Sequence, residues 1–264
     1  METAGEAASL WQDFVQGCKY GVVFLAIWVA VALAALLWTR IRRGSDAEFS
    51  VNDSYLVAGA IPVLSLIAVG YSSTPMLWGC PTAEERLFAV VPAGKMISQL
   101  QVGYQVFCLV GAVFCGYPQS KPENIAHHFL AGLASTLSLL PFAQYYCIFF
   151  GSLVELSTAP LTVLDLFKRN RQYIEKYPSA YSATKAVFAL SFLSLRVLIW
   201  PYFAVRMGLD VYIMRGEIPF YSQIITYTAL LGLTGLQLLW GRLVLRNVIL
   251  TLRGQDRYLK KKET

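Results

Sequence analysis

The sequence predicts an all-α membrane protein, a bundle of about seven transmembrane helices enclosing a polar-lined cavity. Three observations carry this. Of the 264 residues, 56% are apolar or aromatic and only 14% charged, whereas soluble domains carry roughly 25% charge. Mean hydropathy is +0.51, and several apolar runs reach the ~18 to 20 residues needed to cross hydrocarbon. Within three of those runs, polar side chains interrupt the apolar pattern, and such groups face a bundle interior or a water-filled cavity.

Length and punctuation place the spans at 20–39, 55–71, 91–116, 124–140, 142–167, 183–207 and 218–246. The first run is too long for a signal-peptide core, and Glu2, Glu6 and Asp13 precede it instead of a basic segment, so it stays attached as a span. Tyr117-Pro118, Leu140-Pro141 and Ile218-Pro219 mark connections between later spans. The third, fourth and fifth spans are interrupted by Lys95, Gln99, Gln105, two histidines and Glu155. A single transmembrane domain, 20–250, thus lies between a short luminal N-terminus, 1–19, and a basic tail, 251–264.

Orientation follows from Lys and Arg in short loops, which stay cytosolic. One side collects Arg40, Arg42, Arg43, Lys121, Lys168, Arg169, Arg171, Lys176 and the tail, including Arg253, Arg257, Lys260, Lys261 and Lys262. The other holds little beyond Lys19, Arg86 and Arg215. An odd number of spans then puts the N-terminus in the lumen and the C-terminus in the cytosol. The net charge of +6 is largely this asymmetry, so no nucleic-acid partner is needed to explain it, and the basic rim favours anionic headgroups. The ending Lys261-Lys262-Glu263-Thr264 resembles the dilysine retrieval signal of endoplasmic reticulum membrane proteins. The one N-x-[ST] sequon, Asn52-Asp53-Ser54, falls beside the basic first loop and is expected to carry no glycan.

Counting excludes several chemistries. Two histidines are too few for the His-rich di-iron sites of membrane desaturases. The Gly94-Lys95 pair has Ala89 and Met96 where a phosphate loop requires Gly and Ser or Thr, and there is no G-x-S-x-G elbow. Five cysteines show no metal-ligand spacing, so no metal is expected. Cys18 and Cys80 share the luminal side, where an oxidising compartment permits a disulfide.

The remaining candidates sit inside spans. Lys95, Ser98, Gln99, Val102 and Gln105 follow three-and-four spacing, which gives the third span a polar stripe. Glu155 can pair with Arg196 or Lys95 as interhelical glue. His127 and His128 diverge by about 100° around a helix, so one imidazole can enter a cavity while the other bonds a neighbouring helix. Either could serve as a general base or an acyl acceptor.

The run Ile125-Ala126-His127-His128-Phe129-Leu130, followed by Val154-Glu155-Leu156-Ser157-Thr158-Ala159-Pro160-Leu161, resembles the TLC family, named for TRAM, LAG1 and CLN8 proteins. Gly103-Tyr104-Gln105 stands where that family has Gly-Tyr-Phe, and Arg196-Val197-Leu198-Ile199-Trp200-Pro201-Tyr202 resembles its Arg-plus-Pro helix. Two positions depart: Cys108 replaces an acid, and Val154-Glu155 stands where ceramide synthases carry a second His-Asp pair. The resemblance is therefore to the smaller TLC-domain proteins rather than to ceramide synthases.

It implies a lipid-binding or lipid-homeostasis protein of the reticulum, touching sphingolipid metabolism. Lys95, Gln99, Tyr104, Gln105, Glu155, Ser157 and Arg196 would line the cavity, and membrane lipid would be the partner. The competing class is an acyl-CoA-dependent acyltransferase using His127 or His128, with acyl-CoA as substrate and no cofactor. A structural subunit of a membrane complex and a homo-oligomer stay open.

Overall fold

The computed structural model describes residues 4–41, 51–116 and 119–255, and among them every regular element is helical. Helix α1 (Ala4–Ile41) and α2 (Val51–Ser73) are followed by a 3-10 turn and the short α3 (Ala83–Phe88). Next come α4 (Pro92–Phe114), α5 (Pro122–Leu137), α6 (Gln144–Phe150) and α7 (Thr158–Arg169). The chain closes with α8 (Arg171–Lys176), α9 (Pro178–Phe192), α10 (Trp200–Ile213) and α11 (Phe220–Leu252). At 38 residues, α1 runs about 57 Å, well beyond the ~30 Å hydrocarbon thickness. Residues 4–19, expected as a luminal segment, are its first turns.

Among the described residues, six stretches are long and apolar enough to cross a membrane: Ser9–Leu37, Asn52–Trp78, Pro92–Phe114, Gln144–Arg169, Pro178–Ile213 and Phe220–Leu252. The expected span at 124–140 is the shorter α5, of 16 residues. It nevertheless traverses the bundle. The N-terminus of α5 lies just beyond the end of α4, while the turn after it returns to the start of α4. There Ala143 N–H donates to the Leu87 carbonyl at 2.6 Å, and Gln144 Oε1 accepts from Val91 N–H at 2.9 Å. Ala143 adopts a left-handed φ of 57° in this turn, and Gly94 makes room for it, since a Cβ there would stand 2.1 Å from the Gln144 carbonyl oxygen.

Side-chain pairs fix the other directions. Asp13 lies beside Lys95, and Trp28 beside Phe107, so α1 and α4 run parallel. Tyr55 stacks on Phe107 while Ser152 reaches back to the Leu66 carbonyl, which sets α2 antiparallel to both. Lys185 bonds Thr251, and Tyr227 bonds the Gly208 carbonyl, so α11 returns along α9 and α10. The chain thus crosses the bundle seven times, and its described ends lie at opposite poles. Lys121, Lys168, Arg169, Arg171 and Lys176 gather at the pole where α4, α7 and α11 end, which Asn52 ties together: in the orientation that satisfies both partners, its amide donates to the Cys115 carbonyl at 2.9 Å and accepts from Arg169 at 3.2 Å.

The α1–α4 contact depends on small residues, as membrane helix contacts commonly do. Gly17 and Gly21 form a G-x-x-x-G pair against Gly103, where a Cβ would come within 2.7 Å of the Gly21 nitrogen. The core is aromatic: Tyr145, Tyr146, Phe107 and Phe149 are fully buried. Cys18 and Cys80 are free thiols, as are the other three cysteines, so the structure does not contain the disulfide their side would permit. Arg42, Arg43 and the residues from 256 onward, including Lys261 and Lys262, lie outside the described residues.

Candidate functional site

Two helices lose regular winding at the same level of the bundle. After α6, the chain turns at Gly151-Ser152 and forms a 3-10 segment, Leu153–Ser157, before α7. Pro160 requires such a break, because it has no N–H and its ring would press on the Leu156 carbonyl. Between α9 and α10, Leu193–Ile199 is wound as a π-helix, which widens the backbone ahead of Pro201. Irregular backbone at membrane depth is tolerated where protein buries it or a cavity adjoins it.

Both segments present a charge inward. Glu155 and Arg196 are each 6% exposed, and their closest oxygen and nitrogen are 3.8 Å apart. Arg196 is held chiefly by neutral oxygens: Nε donates to Ser157 Oγ at 2.7 Å, and the terminal nitrogen donates to Thr158 Oγ1 at 3.0 Å and the Val154 carbonyl at 3.3 Å. Ser157 Oγ also donates to Val154 at 2.7 Å, so it satisfies a carbonyl released by the broken helix.

A cavity of about 90 Å³ extends from this pair along α4, α5, α6, α10 and α11. Gln101, Gln105, His127, Glu155 and Arg196 line its polar end, whereas Phe142, Phe150, Met207, Ala229 and Leu233 line the remainder. Tyr146 also lines it, with its hydroxyl donating to Asp210. Asp210 accepts two 2.7 Å bonds from Arg86, and this pairing raises the Arg86 pKa above its ordinary value.

The two imidazoles separate. His128 Nδ1–H donates to Gln105 Oε1 at 2.8 Å, Gln105 donates to Gln101 Oε1, and Gln101 donates to the Gly151 carbonyl. Because that relay ends on an oxygen that only accepts, each amide orientation and the His128 tautomer follow from it. His127 packs edge-on to Trp240 and His128, each 5.2 Å away, and lines the cavity. Its buried Nδ1 has no hydrogen-bond partner, nor have Thr226 Oγ1 and both amide atoms of Gln237. Thr226 lines the cavity with Leu230 and Leu233. Gln237 stands one turn beyond Leu233 on the same face of α11 and is completely buried. Leaving such atoms unpaired costs about 1 to 3 kcal/mol each.

The structure therefore brings Gln105, Glu155, Arg196 and His127 around one space, with Ser157 immediately behind Arg196 and His128 behind Gln105. It separates the others. Lys95 Nζ pairs with Asp13 at 2.7 Å, and Gln99 donates to the same carboxylate at 3.0 Å, so both face α1 and not the cavity. Tyr104 stacks on Phe107 and meets His128 edge-on, behind the lining. Sequence reasoning left out Gln101 as a site residue and missed Gln237 and Asp210 altogether. The available signal was a lone polar residue in an apolar helix. Among the described residues, no group of three His, Cys, Asp or Glu is placed to hold a metal ion.

Together these features define a polytopic membrane protein whose helices surround an internal, mostly apolar cavity with a polar end. The TLC domain family matches residues 52–246, most of the chain and all the cavity-lining residues, and the protein belongs to that family. No curated protein and no solved structure matches the chain.

Proposed function

We propose that the central cavity binds a slender, uncharged polar segment of a membrane lipid and that the protein acts in lipid homeostasis. The observation that supports this most is the pair of cavity-lining residues, His127 and Thr226, that each carry a buried polar atom without a hydrogen-bond partner. Buried polar groups are normally satisfied by protein or by ordered water, and a lipid hydroxyl, ester or amide would satisfy them while its chain covers the apolar walls. Arg196 already spends its donors on Ser157, Thr158 and Val154 with Glu155 nearby, so it offers little to a phosphate. At about 90 Å³ the space is small for a whole lipid, and a bound chain occupies it as a narrow segment that continues between helices.

A second reading has one observation in its favour: His127 lines this cavity and its buried Nδ1 has no hydrogen-bond partner. A neutral imidazole nitrogen can attack the thioester carbonyl of an acyl-CoA, release the thiolate, which takes a proton, and pass the acyl group to a lipid amine or hydroxyl. Mass spectrometry of lipid co-purifying with the protein, repeated after adding acyl-CoA, separates the two. A bound lipid unchanged by acyl-CoA supports binding, whereas a new amide or ester product supports transfer.

We also propose that the Lys- and Arg-rich pole faces the cytosol, which puts the N-terminus in the lumen, and that the protein resides in the endoplasmic reticulum. The residence proposal rests on Lys261 and Lys262. If they act as a retrieval signal, serine at both positions moves the protein to later compartments; unchanged localisation would reject the signal.

A further inference from the structure

Polar groups stand at both ends of the central cavity. Helix α5 runs toward the pole where α6 and α11 begin, so Ser135, Tyr146 and Thr226, which all line the cavity, gather at the end away from Glu155 and Arg196. Ser135 Oγ donates to the Ala131 carbonyl at 2.7 Å, and the Tyr146 hydroxyl donates to Asp210. Their protons are engaged, but a hydroxyl oxygen can still accept. Thr226 is 3% exposed, and its hydroxyl has no partner, not even the carbonyl of its own helix that Ser135 finds. A ligand group matching this end must donate to Ser135 or Tyr146 and also engage the Thr226 hydroxyl. A hydroxyl can do both, an ester carbonyl only accepts, and a methyl group does neither.

The distance between the ends sets the chain. His127, whose Nδ1 is likewise unpartnered, packs against Trp240. From Thr226 to Trp240, α11 advances about 21 Å at 1.5 Å per residue. Hydrogen bonds reach about 3 Å at each end, so two ligand atoms that satisfy both residues stand roughly 15 to 21 Å apart. An extended chain advances about 1.1 to 1.2 Å per bond, which makes the separation ~13 to 19 bonds. Between the ends the walls are apolar, with Phe150, Ala229 and Leu233. Room for atom centres of about 90 Å³, spread over such a length, is a bore one extended chain wide.

We infer that the cavity selects an uncharged long-chain lipid with a second polar group, a hydroxyl, at or near the far end of the chain that enters it. The first polar group meets His127, and the second meets Thr226 with Ser135 and Tyr146. This rests on the lipid-binding reading of the cavity and narrows it: Thr226 becomes the residue that discriminates among chains. A plain alkyl chain would hold the Thr226 hydroxyl against methylenes with its hydrogen bond unmade, which is unfavourable in a buried place.

The test offers the full chain, purified in detergent, equal amounts of a hexadecanediol with hydroxyls at both ends and of its isomer with the second hydroxyl at mid-chain. One isomer is deuterated, and native mass spectrometry counts each. Wild type is expected to take the end-to-end diol about five-fold over its isomer, the worth of one net hydrogen bond. Thr226→Val should bring the two near parity, because either second hydroxyl is then buried without a partner; an unfolding temperature level with wild type or above shows that the variant keeps its fold. Equal uptake of the isomers by wild type would overturn the inference, as would a preference that survives Thr226→Val. Hexadecanol with a single terminal hydroxyl, offered to wild type, separates this inference from the reading beneath it. If it binds while the isomers bind equally, the cavity takes lipid without selecting a second hydroxyl, and the inference fails alone. If none of the three alcohols binds, the lipid reading fails with it.

Discussion

Removing either member of the Glu155–Arg196 pair tests the polar end of the cavity most sharply, because the structure predicts unequal costs. At 3.8 Å and an effective dielectric constant near 20, two unit charges attract by about 4 kcal/mol, and both side chains are more than nine-tenths buried, so solvent screens them little. Glu155→Leu removes that attraction but leaves Arg196 its three neutral oxygen acceptors. Arg196→Met removes the same attraction and three hydrogen bonds besides, and strands the carboxylate. Single removals from buried pairs cost about 3 to 5 kcal/mol; Glu155→Leu should fall at the lower end and Arg196→Met at or beyond the upper. The double variant should cost at least ~2 kcal/mol less than the sum, since neither charge is then left alone. Thermal unfolding of purified protein in one detergent reads this as a loss of roughly 2 to 4 °C per kcal/mol. Additive costs within ~0.5 kcal/mol, or a Glu155 variant as damaged as the Arg196 variant, would refute the reasoning.

The histidines should behave oppositely. His128→Ala strands Gln105 Oε1 and should destabilise by about 1 to 3 kcal/mol, whereas His127→Ala should melt like wild type yet hold less lipid; matching melts and matching lipid contents would contradict the division of roles. Gly103→Val forces atoms against Gly17 and Gly21 and should detach α1, seen as faster proteolysis between α1 and α2. A variant as resistant as wild type would dismiss the tight helix crossing. Sidedness can be read with an impermeant maleimide on sealed, cytosolic-side-out membrane vesicles after cysteine substitution at exposed positions: if the basic pole is cytosolic, Glu175→Cys should label and Glu217→Cys should not. This test is better than the sequon, because Asn52 begins the span Asn52–Trp78 and so sits at the membrane surface.

Much of the fold was legible because hydrocarbon leaves so few choices. Length and punctuation placed seven spans, 124–140 among them. Over that range α5 has only 16 helical residues and completes its crossing through a turn anchored on Leu87 and Val91, a device that hydropathy does not register. The Glu155–Arg196 pair was legible as one of two pairings, Lys95 being the other candidate, because an acid and a base inside spans need each other; Asp13 takes Lys95 out of the choice. The stripe on α4 was misread because two stripes share its spacing. Lys95, Gln99, Val102 and Gly103 face α1, while Ser98, Gln101 and Gln105 face the cavity, and periodicity alone cannot say which neighbour each meets. Asp13 held the missing information as an acid two turns ahead of the first predicted span. Arg86 read as a loop cation because its partner Asp210 is 124 residues away.

The central claim is that buried polar atoms are left unpaired for a lipid, and Thr226, which lines the cavity, tests it most directly. Thr226→Val replaces an unsatisfied hydroxyl with a methyl group of similar size, so protein stability should stay level or rise. Lipid co-purifying with this variant, counted by mass spectrometry, should nevertheless fall well below wild type. A variant that loses stability but keeps its full complement of the same lipid would show that Thr226 serves packing and would contradict the account.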